Sequence, residues 1–292
     1  MEAGSTERFF GHRDSHQSDA AARVTPGEDR WDSHWDDFGK ANERNPAQEY
    51  RRQLALWLLQ RRGTPERLLD IGCGNGEFLA AAAARWPSAE LLGLELSEAA
   101  VDAAHRKVPT ARLRACDLLA EAAATEGENG WATHAVCSEV LEHVDDPVGL
   151  LRSARQWLAP GCRLVVTVPG GPMSGFDRHI GHRQHFSPDD LRDVMSAAGL
   201  EVVRVEGAGF PFFNLYRGLV IFRGDRLIAD ARPDAEWSPA GLLVRAAMAA
   251  FRPLFLLNLP RSPFGWQTLG IAREPLIQVS ADDLRKVDGG TE

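Results

Sequence analysis

Three acidic side chains stand at intervals in the first half of the sequence, each closing a short apolar run: Asp70, Glu95 and Asp117. The first lies in LLDIGCGNGEF, directly before a turn with glycines at Gly72, Gly74 and Gly76. A glycine turn that opens a helix lets backbone N–H groups approach a ligand closely. The spacing here is G-x-G-x-G, not the G-x-G-x-x-G of dinucleotide sites. The Asp70 carboxylate is also a poor neighbour for a doubly charged pyrophosphate and a good one for an ammonium group. A molecule with an amino-acid end, a ribose and an adenine suits the series. Asp70 would order the amine, Glu95 would accept both ribose hydroxyls, and Asp117 would accept the adenine amino group.

A second group of residues follows the fourth apolar run. In SEVLEHVDDP, Glu139, Glu142 and His143 have an E-x-x-E-H spacing, which sets them on one side of a helical turn. Histidine titrates near working pH, so His143 is a candidate general base with Glu142 beside it. The loop VPGGPMSGFDRHIGHRQHF then carries Asp177, His179, His182 and His185. Its histidines are spaced by three, which one face of a helix could align. The loop leaves a strand's carboxyl end and should overhang the reacting group. His179 and His182 are candidate bases in a substrate clamp that includes Asp177. His185 and Phe186 are expected to pack on the next helix. These histidines, with Asp177 and the Glu139–His143 cluster, also offer ligands for a metal.

The elements that position these residues read clearly. From Glu66 onward, short apolar strands alternate with amphipathic helices, and Ser97, Asp146 and Ser187 stand as helix caps. This alternation implies an α/β, doubly wound, parallel sheet covered on both faces, with ligands at the carboxyl ends of the strands. Upstream, Asn45 and Pro46 start a helix that Gly63 ends. The expected organisation is a flexible arm over 1–30, a helical cover over 31–64, a cofactor-binding core over 65–207, a helical aromatic insertion over 208–262, and a last strand with a polar tail over 263–292.

The insertion is rich in Phe210, Phe212, Phe213, Tyr216 and Phe222, followed by a second apolar helix expected to break at Pro253. Four uses are open: packing on the sheet, a cap over a nonpolar acceptor, a segment resting on a membrane surface, and a homodimer face. Trp35, Tyr50, Phe212 and Tyr216 are candidate acceptor contacts, and they favour a bulky apolar acceptor over a sugar or an amino acid.

Bulk composition bounds the partners. The 292 residues carry a formal net charge of −8, which argues against a broad nucleic-acid-binding face. Four scattered cysteines without a C-x-x-C pair read as reduced thiols in a cytoplasm. The expectation is a protein with no signal peptide and no transmembrane segment.

LLDIGCGNGEF, LLGLELS, ACDLL and CSEVLEHVDDP together resemble the class I S-adenosylmethionine-dependent methyltransferases. The resemblance covers about residues 45–207 and the strand at 265–273. It implies a Rossmann-like sheet of seven strands with an antiparallel last strand, and S-adenosylmethionine as cofactor. It implies cofactor contacts from Asp70, Gly72, Cys73, Gly74, Gly76, Glu95, Leu96, Asp117, Leu118, Ser138 and Glu139. The E-x-x-E-H segment is similar to that of methyltransferases acting on quinone precursors, in which such a cluster can hold a divalent metal; here it would be Glu139, Glu142 and His143. Methyl transfer to an oxygen, or else a nitrogen or carbon, of a small molecule is the implied reaction. The alternatives are a lipid-linked or saccharide acceptor at a membrane surface, and a non-catalytic regulator that binds the cofactor. The sulfonium is already electrophilic, so no cysteine nucleophile is needed, and Cys73 and Cys137 read as pocket-wall residues.

Overall fold

The structure, a computed structural model, describes residues 45–61, 63–120, 123–223 and 250–276. The expected arm over 1–30, the start of the helical cover with Trp35, the part of the insertion at 224–249, and the tail from 277 lie outside the described residues.

Helix α1 (Pro46–Gln60) starts as its residues require. Pro46 needs no N–H partner at the first position, and the Asn45 side chain accepts from the Ala47 N–H at 2.9 Å. Its buried stripe includes Leu54, Ala55, Leu58 and Leu59. There follow β1 (Arg67–Ile71), α2 (Glu77–Arg85), β2 (Glu90–Glu95), α3 (Glu98–Lys107), β3 (Arg112–Ala115) and β4 (Ala132–Ser138). A single 3-10 turn (Leu141–His143) leads to α4 (Pro147–Ala154) and β5 (Leu158–Pro169). Then come α5 (Gly175–His179), α6 (Pro188–Ala197), β6 (Glu201–Ala208), α7 (Phe212–Arg223) and β7 (Gln267–Arg273). Ser97, Asp146 and Ser187 cap α3, α4 and α6, and Ser187 forms a capping box with Asp190.

The strands form one seven-stranded sheet in the order β3-β2-β1-β4-β5-β7-β6. Pairing is parallel from β3 through β5, and β7 runs antiparallel between β5 and β6. Strand order reverses between β1 and β4, and the carboxyl ends there flank the crevice where ligands bind in doubly wound sheets. Alternation along β5 separates the two layers of the core. Leu164, Val166 and Val168 pack with Leu191 and Met195 of α6, while Val165 packs with Leu58 and Leu59 of α1.

The insertion stands between β6 and β7, as expected. Helix α7 buries Phe213, Tyr216 and Val220 against Ala47, Phe251 and Phe255. Residues 250–255 are helical straight through Pro253. The expected break therefore falls after Phe255, where Leu256 and Leu257 bond back to Pro253 and Leu254. Among the described residues, no helix is long and apolar enough to cross a membrane.

Candidate active site

The glycine turn leaves β1 with positive φ at Gly72, Gly74 and Gly76 (+72°, +50° and +81°). The N–H groups of Gly72 and Cys73 donate to the Leu94 carbonyl at 2.8 and 2.9 Å, which ties the turn to the end of β2. A Cβ on Gly72 would lie 2.5 Å from Val140 Cγ2, so the turn has no room for a side chain there. At the end of β2 the Glu95 carboxylate accepts from the N–H groups of Gly74 (2.9 Å) and Ser97 (3.1 Å). These two bonds hold it against the turn.

Asp70 is 2% exposed, and its Oδ2 has no hydrogen-bond partner. Burial, and then the charge of Glu95, push its carboxyl up to about 8. A buried carboxyl with an unmet oxygen is a place for a cationic group. Asp117 is exposed just past β3, where its Oδ1 accepts from the Leu119 N–H at 2.8 Å; Leu118 beside it is buried, and Leu96 is exposed. Cys73 and Cys137 depart from expectation. Both side chains pack in the core, and burial drives both thiols well above their usual range.

The other half of the site begins at the end of β4. Ser138 Oγ and Thr167 Oγ1 are 2.7 Å apart, and Thr167 donates to Glu139 Oε1 at 3.1 Å. Glu139 has φ +57°, uncommon for a residue with a side chain. Its surroundings hold it there: Gln267 Nε2 donates to Oε1 at 2.8 Å, and Arg51 Nε faces Oε2 at 3.0 Å. Arg51 also donates to Gln267 Oε1 at 2.8 Å. Glu139 therefore does not share a helical face with Glu142 and His143. Only 141–143 form the turn, and the expected metal trio loses Glu139 to Arg51 and Gln267.

Glu142 is fully buried, and neither carboxyl oxygen has a hydrogen-bond partner. Burial, and then the Glu139 charge, hold its carboxyl well above the usual range. Its Oε1 is 4.0 Å from His143 Nε2. The rings of His143 and His182 meet edge to face, with centroids 4.8 Å apart, and the rings of His182 and His185 at 5.4 Å.

Carbonyl partners set the tautomers, because a carbonyl oxygen can only accept. His143 Nδ1 must donate to Gly181 O (3.2 Å), and His185 Nδ1 to Gly171 O (3.1 Å). Burial lowers the His185 pKa, so its Nε2 is an acceptor, and His182 Nδ1 must donate to it at 3.2 Å. The Nε2 of His182 is then an acceptor too. Burial, and then neighbouring His143, bring the His182 pKa down to about 2, which keeps it neutral.

Asp177 anchors the histidine loop. It forms a capping box with Ser174 at the start of α5, and Arg217 of α7 approaches both carboxylate oxygens at 2.9 Å. It is fully buried, so it holds the loop in place of the expected substrate contact. The histidines do not share a helical face. Helix α5 ends at His179, Gly181 turns the chain with φ +91°, and His179 stays exposed while His182 and His185 turn inward. Of the pair expected to pack on the next helix, only Phe186 enters the core; His185 Nε2 lies 4.0 Å from Asp177 Oδ2. Among the described residues, two trios place their ligand atoms within 4.8 Å of one another: Glu142, His143 and His182, and Asp177, His182 and His185.

The candidate acceptor contacts form a joint between α1 and α7. Tyr50 packs on Phe213 and Phe255 at 5.5 and 5.4 Å, its hydroxyl buried without a partner, and burial pushes its phenol up to about 12. The Tyr216 hydroxyl donates to Asn45 Oδ1 at 3.1 Å, so it braces the start of α1. Phe212 packs on the same aromatic layer. Sequence reasoning missed Arg51, Gln267 and Arg217. Arg51 and Arg217 each had a signal, as a lone charged side chain on an otherwise apolar buried helix stripe; Gln267, followed by Thr268, had none.

A family model described as a methyltransferase domain matches residues 42–205. A ubiquinone biosynthesis O-methyltransferase of Cereibacter sphaeroides is 33% identical over 168 residues, 49% of this chain and 64% of the relative. One of Ruegeria pomeroyi is 34% identical over 170 residues, 50% of this chain and 63% of the relative. The match thus spans less than two thirds of either relative. Phosphoethanolamine N-methyltransferase 2 of Haemonchus contortus, solved in complex with S-adenosyl-L-methionine, superposes with a TM-score of 0.51 at 18% identity, covering 77% of this chain and 52% of that one. That likeness is one of fold.

Proposed function

This chain belongs to the methyltransferase-domain family, in its class I, S-adenosylmethionine-dependent branch, and from that premise we propose that it methylates a hydroxyl oxygen of a small, bulky apolar or aromatic acceptor. The observation that carries the cofactor half is Asp70: a buried carboxyl with an unmet oxygen, beside a glycine turn too tight for side chains. That arrangement fits an ammonium end. Glu95 stands where it can accept ribose hydroxyls, and Asp117, with Leu96 and Leu118, where it can flank an adenine. When bound, S-adenosylmethionine supplies an electrophilic methyl group on a sulfonium.

The acceptor half must orient a hydroxyl and take its proton. His143 and His182 present Nε2 atoms as acceptors. We assign the proton to His143 Nε2, because burial strongly disfavours an imidazolium at His182. Glu142 Oε1, 4.0 Å from that nitrogen, borders the same space. A hydroxyl acceptor is favoured because this half offers proton acceptors, and because the curated relatives are named O-methyltransferases.

A second reading rests on Glu142 itself. Two unmet carboxyl oxygens facing two imidazole nitrogens also suit a divalent cation, held by Glu142, His143 and His182. Such a cation would supply Lewis acidity to the acceptor hydroxyl. One experiment separates the readings: a panel of phenolic, alcoholic and amine acceptors is screened for S-adenosylhomocysteine release, with and without EDTA. Turnover on phenols that survives EDTA supports the histidine base. Turnover lost with EDTA and restored by added metal supports the cation. Calorimetric binding of NAD but not of S-adenosylhomocysteine would overturn the cofactor assignment.

A further inference from the structure

We propose that Arg51 binds a second, uncharged oxygen of the acceptor, so that the substrate pairs its reacting hydroxyl with a carbonyl-type group. The inference rests on the proposed transfer to a hydroxyl and adds to it. A guanidinium carries five N–H donors. Arg51 stands on α1 with its side chain 9% exposed, and its polar contacts leave by Nε alone, to Gln267 Oε1 at 2.8 Å and to Glu139 Oε2 at 3.0 Å. Among the described residues, neither Nη nitrogen has a hydrogen-bond partner. Buried donors are nearly always met, so a fork left open in so enclosed a side chain is a place for an acceptor atom of a ligand.

The fork belongs to the acceptor half. Its Nε edge is held by Glu139, just past the carboxyl end of β4, and by Gln267, at the start of β7. The guanidinium carbon is 5.3 Å from the centroid of the Phe213 ring, in the aromatic layer of α7. After burial, which dominates each of them, the Arg51 charge also bears on the carboxyl of Glu142, the ring of His182 and the phenol of Tyr216. For Asp70, which marks the cofactor's amine, the charge that acts after burial is that of Glu95. The acceptor half therefore offers two kinds of partner, imidazole Nε2 atoms that accept and Nη groups that donate. A hydroxyl suits the first and a carbonyl oxygen the second.

Charge decides against a carboxylate. Arg51 is matched by Glu139, and Arg217 by Asp177, so these buried pairs leave no positive charge over. After burial, the charges of Glu139 and Asp177 already oppose ionisation of Glu142. A further anion would add to that repulsion. An uncharged carbonyl oxygen accepts from the fork without it. A hydrogen bond from a charged donor is also directional, so it would hold the acceptor in one pose while the methyl group is transferred in line.

The test uses matched probes: ortho-, meta- and para-hydroxybenzophenone against the corresponding benzylphenols, which carry a methylene where the ketones carry the carbonyl. Turnover is read as S-adenosylhomocysteine release, and binding by calorimetry with S-adenosylhomocysteine present. Wild type should bind at least one ketone roughly tenfold to a hundredfold more tightly than its benzylphenol, and favour it in kcat/KM. The carbonyl also acidifies the phenol, so the diagnostic is the change in preference on substitution. Arg51→Lys keeps a cation beside Glu139 but loses the fork; it should lower the preference roughly tenfold, with S-adenosylhomocysteine affinity within about threefold of wild type. An equal preference in both proteins overturns the proposal, as does tighter wild-type binding of a benzylphenol carrying a carboxylate than of any ketone. So does a fall in S-adenosylhomocysteine affinity as large as the fall in ketone affinity, which would give the fork to the cofactor's carboxylate. Wild-type protein that binds every ketone no tighter than its benzylphenol overturns it without any variant. Ketone-selective binding that Arg51→Lys abolishes, with no turnover of any probe, supports the oxygen contact and overturns the hydroxyl transfer instead.

Discussion

One nitrogen of Arg217, Nη2, lies 2.9 Å from each carboxylate oxygen of Asp177, and both side chains are buried. The pair joins the insertion to the histidine loop. Burial alone would raise the Asp177 pKa; the Arg217 charge and the Ser174 hydrogen bonds outweigh it and leave the pKa lowered. A carboxyl lowered in this way adds stability above its unfolded pKa, near 3.9, and loses it as pH falls through the folded value. Arg217→Met leaves a buried charge alone and should cost about 3–5 kcal/mol at pH 7. Urea unfolding at pH 7 and in acid checks this. The deficit should be largest at pH 7 and shrink in acid, and Arg217→Lys should recover part of it. Equal midpoints for wild type and Arg217→Met at pH 7 would remove the anchor role.

Asp70 makes a prediction about protons. Its carboxyl, raised to about 8, is protonated in the unliganded protein at pH 6.5 and must ionise to face an ammonium group. Titration with S-adenosylhomocysteine in two buffers of different ionisation enthalpy should report close to one proton released per site. Asp70→Asn should release none, and should bind roughly tenfold to a hundredfold more weakly. The unliganded variant should also unfold at a higher temperature between about pH 4 and 8. In that window the unfolded carboxyl is ionised while the folded one is held protonated, so wild-type stability falls as pH rises and Asn escapes the penalty. Binding without proton release would separate Asp70 from the ligand's amine.

What could be seen in advance divides by range. Helix caps at Ser97, Asp146 and Ser187 lie within three residues of the N–H groups they satisfy, and the acids at Asp70, Glu95 and Asp117 punctuate a short apolar period. Local chemistry fixes such features, so the alternating sheet and the glycine turn were legible. The Arg51, Gln267 and Glu139 cluster was not. Its members are 216 and 128 residues apart, and only the folded sheet brings them together. Spacing misled in the histidine loop, where a period of three suited a helix that in fact ends at His179. The acids and histidines were visible as residues; which acid is neutralised and which is left unmet depends on arginines contributed by distant helices.

Glu142 offers a trade between stability and site chemistry. Its folded pKa is raised, so the unfolded state ionises above about 4.3 while the folded state keeps the proton, and stability falls as pH rises from there. Glu142→Gln cannot ionise. Its melting temperature should exceed that of wild type at pH 7 to 8 and match it near pH 4. If a cation binds here, the same variant should lose divalent metal measured by elemental analysis after dialysis, and wild-type uptake should release a proton and weaken in acid. A Gln variant that keeps its metal and is destabilised at pH 8 would contradict both halves of this reading.

Gly72 couples the two halves of the site through Val140. Its φ of +72° is in the left-handed region, and an added Cβ would lie 2.5 Å from Val140 Cγ2. Val140 directly precedes the Leu141–His143 turn, so displacing it moves Glu142 and His143. Gly72→Ala therefore carries two costs. One is backbone strain of about 1–2 kcal/mol, which no neighbour can relieve. The other is the clash, which Val140→Ala should relieve. In the single variant, S-adenosylhomocysteine affinity and turnover should both fall. In the double variant, turnover per bound cofactor should recover while affinity stays low, because the strain remains in the turn that meets the ligand. Steady-state kinetics with parallel calorimetry over the four proteins of this cycle measures the coupling. Strict additivity of the two substitutions would show that the glycine turn and the histidine cluster act independently.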